Sequence, residues 1–146
     1  MWALSRVGEA GLVWLLIGVG LTVSSQLAWR DLSRLALAVL VASLITNKVL
    51  KPAFQRKRPF GRTGEVPVIG SLPSGASFPS AHTANAFAAA FVLWRAAPAG
   101  RLLWWLLAAA IAFSRVYLGV HYPLDVIGGG VIGVACAMLV LTVTRP

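Results

Sequence analysis

The chain has 146 residues, of which 58% are apolar and 12% charged, whereas a soluble domain has about 25% charged residues. This composition excludes an intrinsically disordered chain, and the single cysteine, Cys136, excludes a disulfide scaffold and argues against a Cys/His zinc site. The net charge of +9 on so apolar a chain indicates either basic anchors beside anionic lipid or a site for a phosphorylated substrate.

The apolar stretches predict an all-α fold, a polytopic transmembrane helical bundle of about five spans that forms a single integral-membrane domain over residues 1–146. The first predicted span is the uncharged stretch 10–29, whose 20 residues are about enough to cross a hydrocarbon core of roughly 30 Å. A short polar connection at 30–34 leads to a second predicted span at 35–50.

A loop of about 30 residues follows the second span, at 51–80. It contains five basic residues, five of the eight prolines and four glycines, so it cannot form a spanning helix. A loop of this length in a compact protein is usually either functional or disordered.

Three further spans are predicted at 80–97, 102–118 and 124–143. The third and fourth spans are only moderately hydrophobic, which predicts that both are buried among the others. The fifth contains Gly129 and Gly133, a G-x-x-x-G step that lets two helices approach closely.

Five spans place the loop 51–80 and the break at 119–123 on one face of the membrane. The connection at 30–34, the turn at 95–101 and the C-terminus then lie on the opposite face. Both histidines of the chain fall at span ends on the loop-bearing face. We therefore predict an active site at this face of the membrane.

The fourth and fifth spans are joined by the pattern S-R-x5-H-x3-D, which begins at Ser114. His121 and Asp125 are four residues apart, so helical geometry would place them on one face. A carboxylate beside an imidazole fixes the tautomer of the ring and prepares the other nitrogen as a nucleophile or base. The alternative is a helix-capping aspartate beside an interfacial histidine.

The third span opens with Pro-Ser-Ala-His at residues 79–82. Ser80 is a good helix N-cap, and the backbone N–H groups that follow it favour an anion. His82 would lie beside that anion and could donate a proton. The alternative is an ordinary serine cap with a histidine at the interface.

The loop begins with the pattern K-x6-R-P, formed by Lys51, Arg58 and Pro59. These two cations could bind phosphate oxygens, since arginine presents a planar fork of donors and lysine a point charge. The alternative is a basic patch beside the membrane, to which Arg56, Lys57 and Arg62 would contribute equally.

Together the three motifs resemble the signature of the type 2 phosphatidic acid phosphatase superfamily, which includes lipid phosphate phosphatases, bacterial acid phosphatases and vanadium haloperoxidases. The family pattern is K-x6-R-P, P-S-G-H and S-R-x5-H-x3-D, and the chain has KPAFQRKRP, PSAH and SRVYLGVHYPLD. Ala81 stands where the family usually has glycine. The predicted spans also number one fewer than the six that are common in membrane members.

The resemblance implies a metal-independent phosphatase with no cofactor, in which His121 attacks phosphorus and forms a phosphohistidine. Asp125 would orient His121, and His82 would act as the general acid. Asp125 is the one acidic residue near the site in sequence, so a carboxylate cage for a metal is not expected. The residues expected to hold the phosphate are Lys51, Arg58, Ser80, Ala81 through its N–H, and Arg115.

The expected partners are a lipid phosphate or isoprenoid (di)phosphate substrate and the membrane lipids, with no nucleic acid. The expected location is the cell membrane, and the resemblance to bacterial lipid phosphatases favours an outward-facing site. Without the three predicted phosphate-binding cations, the two faces have five basic residues each, which does not decide the orientation. A non-catalytic scaffold that binds anionic lipid and a phosphotransferase with the same site are the alternatives.

Overall fold

The computed structural model describes residues 11–60 and 74–145. Residue 10, which begins the first predicted span, and residues 61–73, the middle of the predicted loop, lie outside the described residues. All regular elements within the two described ranges are helical, which confirms the predicted all-α fold.

Five main helices make up the described part of the chain. A 3-10 turn at Pro98–Gly100 joins the third to the fourth. By length and composition, α2, α4 with its preceding turn, and α5 could each cross a membrane. The helices are α1 (Leu12–Val23), α2 (Trp29–Phe54), α3 (Ala81–Ala96), α4 (Arg101–Tyr117) and α5 (Pro123–Val143).

The first predicted span is wrong at its C-terminal end. Helix α1 stops at Val23 rather than continuing to residue 29. Polar residues follow at once, and Ser25 adopts a left-handed φ of 60° that ends the helical path. The chain turns back here because the serine and glutamine side chains and backbone bond locally instead of extending the helix.

The predicted polar connection at 30–34 is also wrong, because these residues form the first turns of α2. Asp31 accepts a 2.9 Å hydrogen bond from Arg34, three residues later on the same helix face. Arg34 donates further bonds of 3.1 and 2.6 Å to the hydroxyl and carbonyl of Thr144, just after α5. The charged side chains of Asp31 and Arg34 thus have hydrogen-bond partners within α2, and Arg34 also has one across the bundle.

The other end of α2 runs past the predicted loop boundary and includes Lys51. Its turn Ile45–Leu50 is a π-helix, followed by a last α-helical turn, Lys51–Phe54, that contains Pro52. Proline lacks the N–H and clashes with the preceding turn of a regular α-helix, so a wider π turn lets the helix continue. Helix α2 ends at Phe54, and the residue that caps it, Gln55, has a left-handed φ of 45°.

Helix α3 is the centre of the bundle, as its moderate hydrophobicity predicted. Alanines let the neighbouring helices approach it closely. A side chain at Gly133 of α5 would overlap the carbonyl oxygen of Ala84, and one at Gly129 would overlap that of Ser80. The predicted close approach at the G-x-x-x-G step is therefore confirmed. The fully buried alanines of α3 are Ala84, Ala86, Ala88, Ala89 and Ala90.

The same prediction is wrong for α4, which lies at the periphery. Its large apolar side chains face outward, because α4 packs mainly on α3 and has few contacts with α5. A helix that exposes such side chains suits a lipid environment. The exposed residues are Leu102, Leu103, Leu106, Phe113 and Tyr117.

The two faces of the bundle are arranged as the order of spans predicted. Arg30, Arg34, Arg95 and Arg145 line one cavity at the start of α2 and the ends of α3 and α5. Lys51, the start of α3 and the turn before α5 meet at the opposite end.

We expect Gly133→Ala to destabilise the protein by about 1–3 kcal/mol, the usual cost of forcing extra volume into a packed interior. The added methyl would meet backbone of α3, which cannot rotate away. Thermal unfolding in detergent measures the change. Gly20→Ala in α1 is the matched control, since its methyl would meet nothing within 4 Å. An unchanged melting temperature for Gly133→Ala would contradict this packing.

Candidate active site

A cavity of about 350 Å³ lies between α2, α3 and the turn that precedes α5. Six of the eight predicted site residues line it, from all three sequence motifs, and Ser80 and Asp125 lie behind its wall. The six are Lys51, Arg58, Ala81, His82, Arg115 and His121.

His121 lies in the turn between α4 and α5 and not on a helix. The expected helical stacking on Asp125 is therefore wrong, although the two side chains still meet: His121 Nδ1 is 3.7 Å from Asp125 Oδ2. Gly119, with a φ of 69°, makes the turn that brings His121 back over the start of α5.

The other ring nitrogen of His121, Nε2, lies 3.4 Å from Arg58 Nη1. Because a guanidinium has no acceptor, Nε2 can only accept in this contact, and the ring proton belongs on Nδ1, toward Asp125. Burial lowers the pKa of His121 below its ordinary 6.5, although Asp125 raises it. The ring is thus neutral at neutral pH, with the Nε2 lone pair beside a cation.

Asp125 is fully buried in the first turn of α5 and collects donors from three segments. The N–H of Tyr122 donates to Oδ2 at 2.9 Å, and the Ser77 hydroxyl donates to the same oxygen. Arg56 Nη1 donates to Oδ1 at 2.8 Å. A buried carboxylate requires such partners because an unpaired buried charge is very costly.

The sequence did not single out Arg56 and Ser77. Arg56 stands beside Lys57 in the same basic run, so nothing local separates the residue that pairs with Asp125 from its neighbour. Once folded, Arg56 also lies 4.3 Å from the centre of the Tyr122 ring. Ser77 is 48 residues from Asp125 along the chain, and only the tertiary fold brings the two together.

His82 and Ala81 open α3 and line the cavity. His82 Nε2 is buried and has no hydrogen-bond partner among the described residues. Ser80 is the N-cap, as predicted: its oxygen accepts from the N–H of Thr83 at 3.5 Å and from the Thr83 hydroxyl at 3.0 Å. Ser80 is fully buried, so its contact with phosphate stays a prediction.

Three cationic side chains face the cavity. Backbone carbonyls hold Arg58, whose Nε donates to Gly75 at 3.0 Å and whose Nη1 donates to Val120 at 3.0 Å. Lys51 Nζ donates to Asn47 Oδ1 at 2.8 Å, and Arg115 is buried at the cavity wall. Such fixed donors suit a tetrahedral oxyanion.

No group of three His, Cys, Asp or Glu side chains in the described ranges 11–60 and 74–145 is arranged to hold a metal ion. The cavity residues themselves offer a neutral imidazole with its lone pair among cations, a second imidazole and a pocket for an anion.

The chain is similar to several known proteins. It is 39% identical over 126 residues to the putative undecaprenyl-diphosphatase YbjG of Escherichia coli, covering 83% of this chain but only 60% of that protein.

Among solved structures, the LpxE structure of Aquifex aeolicus has a TM-score of 0.82 and 30% identity, covering 96% of this chain and 82% of that one. A transmembrane PAP2-type phosphatidylglycerolphosphate phosphatase of Bacillus subtilis has a TM-score of 0.70 and 28% identity, covering 97% and 74%. The similarity to the transmembrane protein of Bacillus subtilis and the three apolar helices identify a membrane protein. A family model, the PAP2 superfamily, matches residues 32–146, and the chain therefore belongs to the PAP2 superfamily.

Proposed function

We propose that the chain is a phosphatase that removes phosphate from a membrane lipid phosphate or an isoprenoid diphosphate, through a phosphohistidine and without a metal ion. The observation that carries this proposal is the placement of His121 Nε2, 3.4 Å from Arg58 in a cavity that also contains Lys51, Arg115 and His82. Membership of the PAP2 superfamily and similarity to an undecaprenyl-diphosphatase support the same chemistry.

In the first step, Lys51, Arg58 and Arg115 bind the oxygens of the phosphoryl group. Phosphoryl transfer depends mainly on positioning and on stabilising negative charge, which three fixed cations supply. As Arg58 turns its donor from Nε2 to the phosphate, the freed lone pair attacks phosphorus. The N–P bond forms while the P–O bond breaks, and protonated His82, whose positive charge the bound phosphate dianion balances, gives its proton to the departing oxygen.

In the second step, water attacks the phosphohistidine. His82, now without its proton, accepts one from the water, and the N–P bond breaks to release inorganic phosphate and neutral His121. Asp125 stays ionised throughout, and the charge on its Oδ2, 3.7 Å from His121 Nδ1, favours the ring proton on that nitrogen. Its own position is fixed by Arg56, Ser77 and the N–H of Tyr122.

We also propose that the catalytic face points outward from the cell membrane. The pairing of Arg56 with Asp125 removes one more cation from the free basic residues of this face. On the opposite face Arg34 pairs with Asp31, so four free basic residues remain on each face and their number does not decide the orientation. The support for an outward-facing site is the similarity to bacterial lipid phosphatases.

We expect His121→Asn to abolish release of phosphate from a panel of lipid phosphates and isoprenoid diphosphates, assayed in detergent with EDTA. Asp125→Asn should lower the rate strongly, and Arg115→Ala should impair both kcat and KM.

Turnover by folded His121→Asn would contradict a histidine nucleophile, and activity restored only by added metal would contradict a metal-free site. No turnover by the wild type would favour the lipid-binding scaffold, and transfer to an added alcohol would indicate a phosphotransferase.

We expect Arg56→Gln to lower kcat by about ten- to a hundredfold, the loss expected when a charged hydrogen bond worth about 1.5–3 kcal/mol is removed. KM should change little, because Arg56 does not line the cavity. Arg56→Lys should recover part of the rate. Lys57→Gln, the neighbouring exposed cation, is the matched control and should leave kcat unchanged. Equal effects of the Arg56 and Lys57 changes would indicate a general effect of charge.

We expect activity to persist below pH 6.5, because burial lowers the pKa of His121 and attack requires the neutral ring. As the pH falls through that lowered pKa, the ring gains a proton and kcat/KM declines. Asp125 raises this pKa, so the residual activity of Asp125→Asn should have its acid limb at a still lower pH. Measuring the wild type and Asp125→Asn on the same substrate removes the effect of the substrate's own ionisation from the comparison. An acid limb at or above pH 6.5, or an upward shift, would contradict this assignment.

A further inference from the structure

The catalytic cavity continues beyond the cations into the bundle. Asn85, one turn further along α3 than His82, lines the same cavity, as do Asn47 and Ser43 on α2. One helical turn places Asn85 about 4.5–5.4 Å deeper along α3 than His82. This end of the cavity is polar, and the nearest charge to it is the Lys51 ammonium, which donates to Asn47 Oδ1 at 2.8 Å.

Asn85 has an unused acceptor. The residue is 3% exposed, and its Oδ1 is buried with no hydrogen-bond partner among the described residues. A buried polar atom without a partner costs about 1–3 kcal/mol. Because Asn85 also lines the catalytic cavity, a bound ligand could supply the missing donor.

The facing wall on α2 has most of its hydrogen bonds already made. Asn47 Nδ2 donates to the Ser43 carbonyl at 3.0 Å and to the Ser43 hydroxyl oxygen at 3.3 Å. Asn47 Oδ1 accepts from Lys51. The Ser43 hydroxyl has no acceptor for its own proton among the hydrogen bonds described. The deep end of the cavity thus combines an unused acceptor with an unused donor.

A neutral hydroxyl group matches this combination because it donates and accepts at once. A hydroxyl can therefore hydrogen-bond to Asn85 whichever end of the side-chain amide, oxygen or nitrogen, faces the cavity. A phosphate dianion cannot donate to Oδ1, and an apolar chain can do neither.

We propose that Asn85, with Ser43 opposite, forms a hydroxyl-binding subsite, so that the preferred substrate carries a free hydroxyl close to its phosphoester. This proposal rests on the proposed phosphatase function and names the substrate class that the site selects. The short step from His82 to Asn85 places the hydroxyl on a carbon near the one that bears the phosphate. Polyol-linked lipid phosphates fit this description, and simple alkyl or fully acylated ones do not.

The test compares two substrates that differ in one hydroxyl: 1-acylglycerol 3-phosphate, with a free 2-hydroxyl, and its 2-deoxy analogue. Wild-type protein should show a kcat/KM about tenfold higher for the hydroxylated substrate, the size of one net hydrogen bond. Asn85→Leu should lower kcat/KM for the hydroxylated substrate to the level of the analogue and leave the analogue unchanged. Asn85→Ala serves where the leucine variant does not fold.

Thr46→Val is the matched control. Thr46 is fully buried on α2 with an unpartnered Oγ1, but it does not line the cavity. The change removes a buried polar atom at a similar depth, so the preference for the hydroxylated substrate should stay at its wild-type value.

Three results would overturn the proposal. One is a wild type without preference between the two substrates. Another is an Asn85 variant that loses kcat/KM equally on both, which would assign Asn85 to the structure around His82. The third is an Asn85 variant whose kcat is lower but whose kcat/KM is intact on both substrates. That result would assign Asn85 to binding the water that attacks in the second step. If no lipid phosphate is hydrolysed, the proposed function fails, and binding of the two non-hydrolysable phosphonates decides the hydroxyl preference separately.

Discussion

The structure of the catalytic face depends on one buried carboxylate. Asp125 accepts hydrogen bonds from Arg56, Ser77 and the N–H of Tyr122, while its own carbonyl accepts from the N–H of Ser80 at 3.0 Å. Removing any of these donors would leave part of a charge unpaired in a low-dielectric interior, which is expensive. Asp125 therefore joins the segment after α2, the start of α3 and the start of α5.

Close packing of two helices fixes the same region. Gly129 lets α5 lie against the carbonyl of Ser80, and Gly133 does the same one turn later at Ala84. Because His82 follows Ser80 and His121 precedes α5, the contact between α3 and α5 sets the relative position of the two rings. The packing of α3 against α5 therefore also fixes the geometry of the site, and a shift between these helices would move the two histidine rings relative to each other.

The sequence predicted which residues meet in one cavity better than it predicted how the helices and side chains are arranged there. Short motifs identified six residues that line one cavity, because their spacing is a property of the chain itself. It could not predict that Arg56, rather than Lys57, pairs with Asp125, since that choice is made by tertiary contacts. The start of α2 was misjudged for the same reason: residues 30–34 resemble a turn until Arg34 is seen bonded to Thr144, 110 residues away.

Helix α2 connects the anion site with the interior of the bundle. Ser43, Asn47 and Lys51 recur every four residues along it, and each bonds to the next. Within a membrane, polar side chains are costly unless they bond to protein or line a polar cavity. The bonds between these three satisfy part of that requirement, and the cavity that they share with Asn85 satisfies the rest. A polar row that begins at Lys51 and continues inward therefore fits the proposed substrate, which carries a free hydroxyl close to its phosphoester.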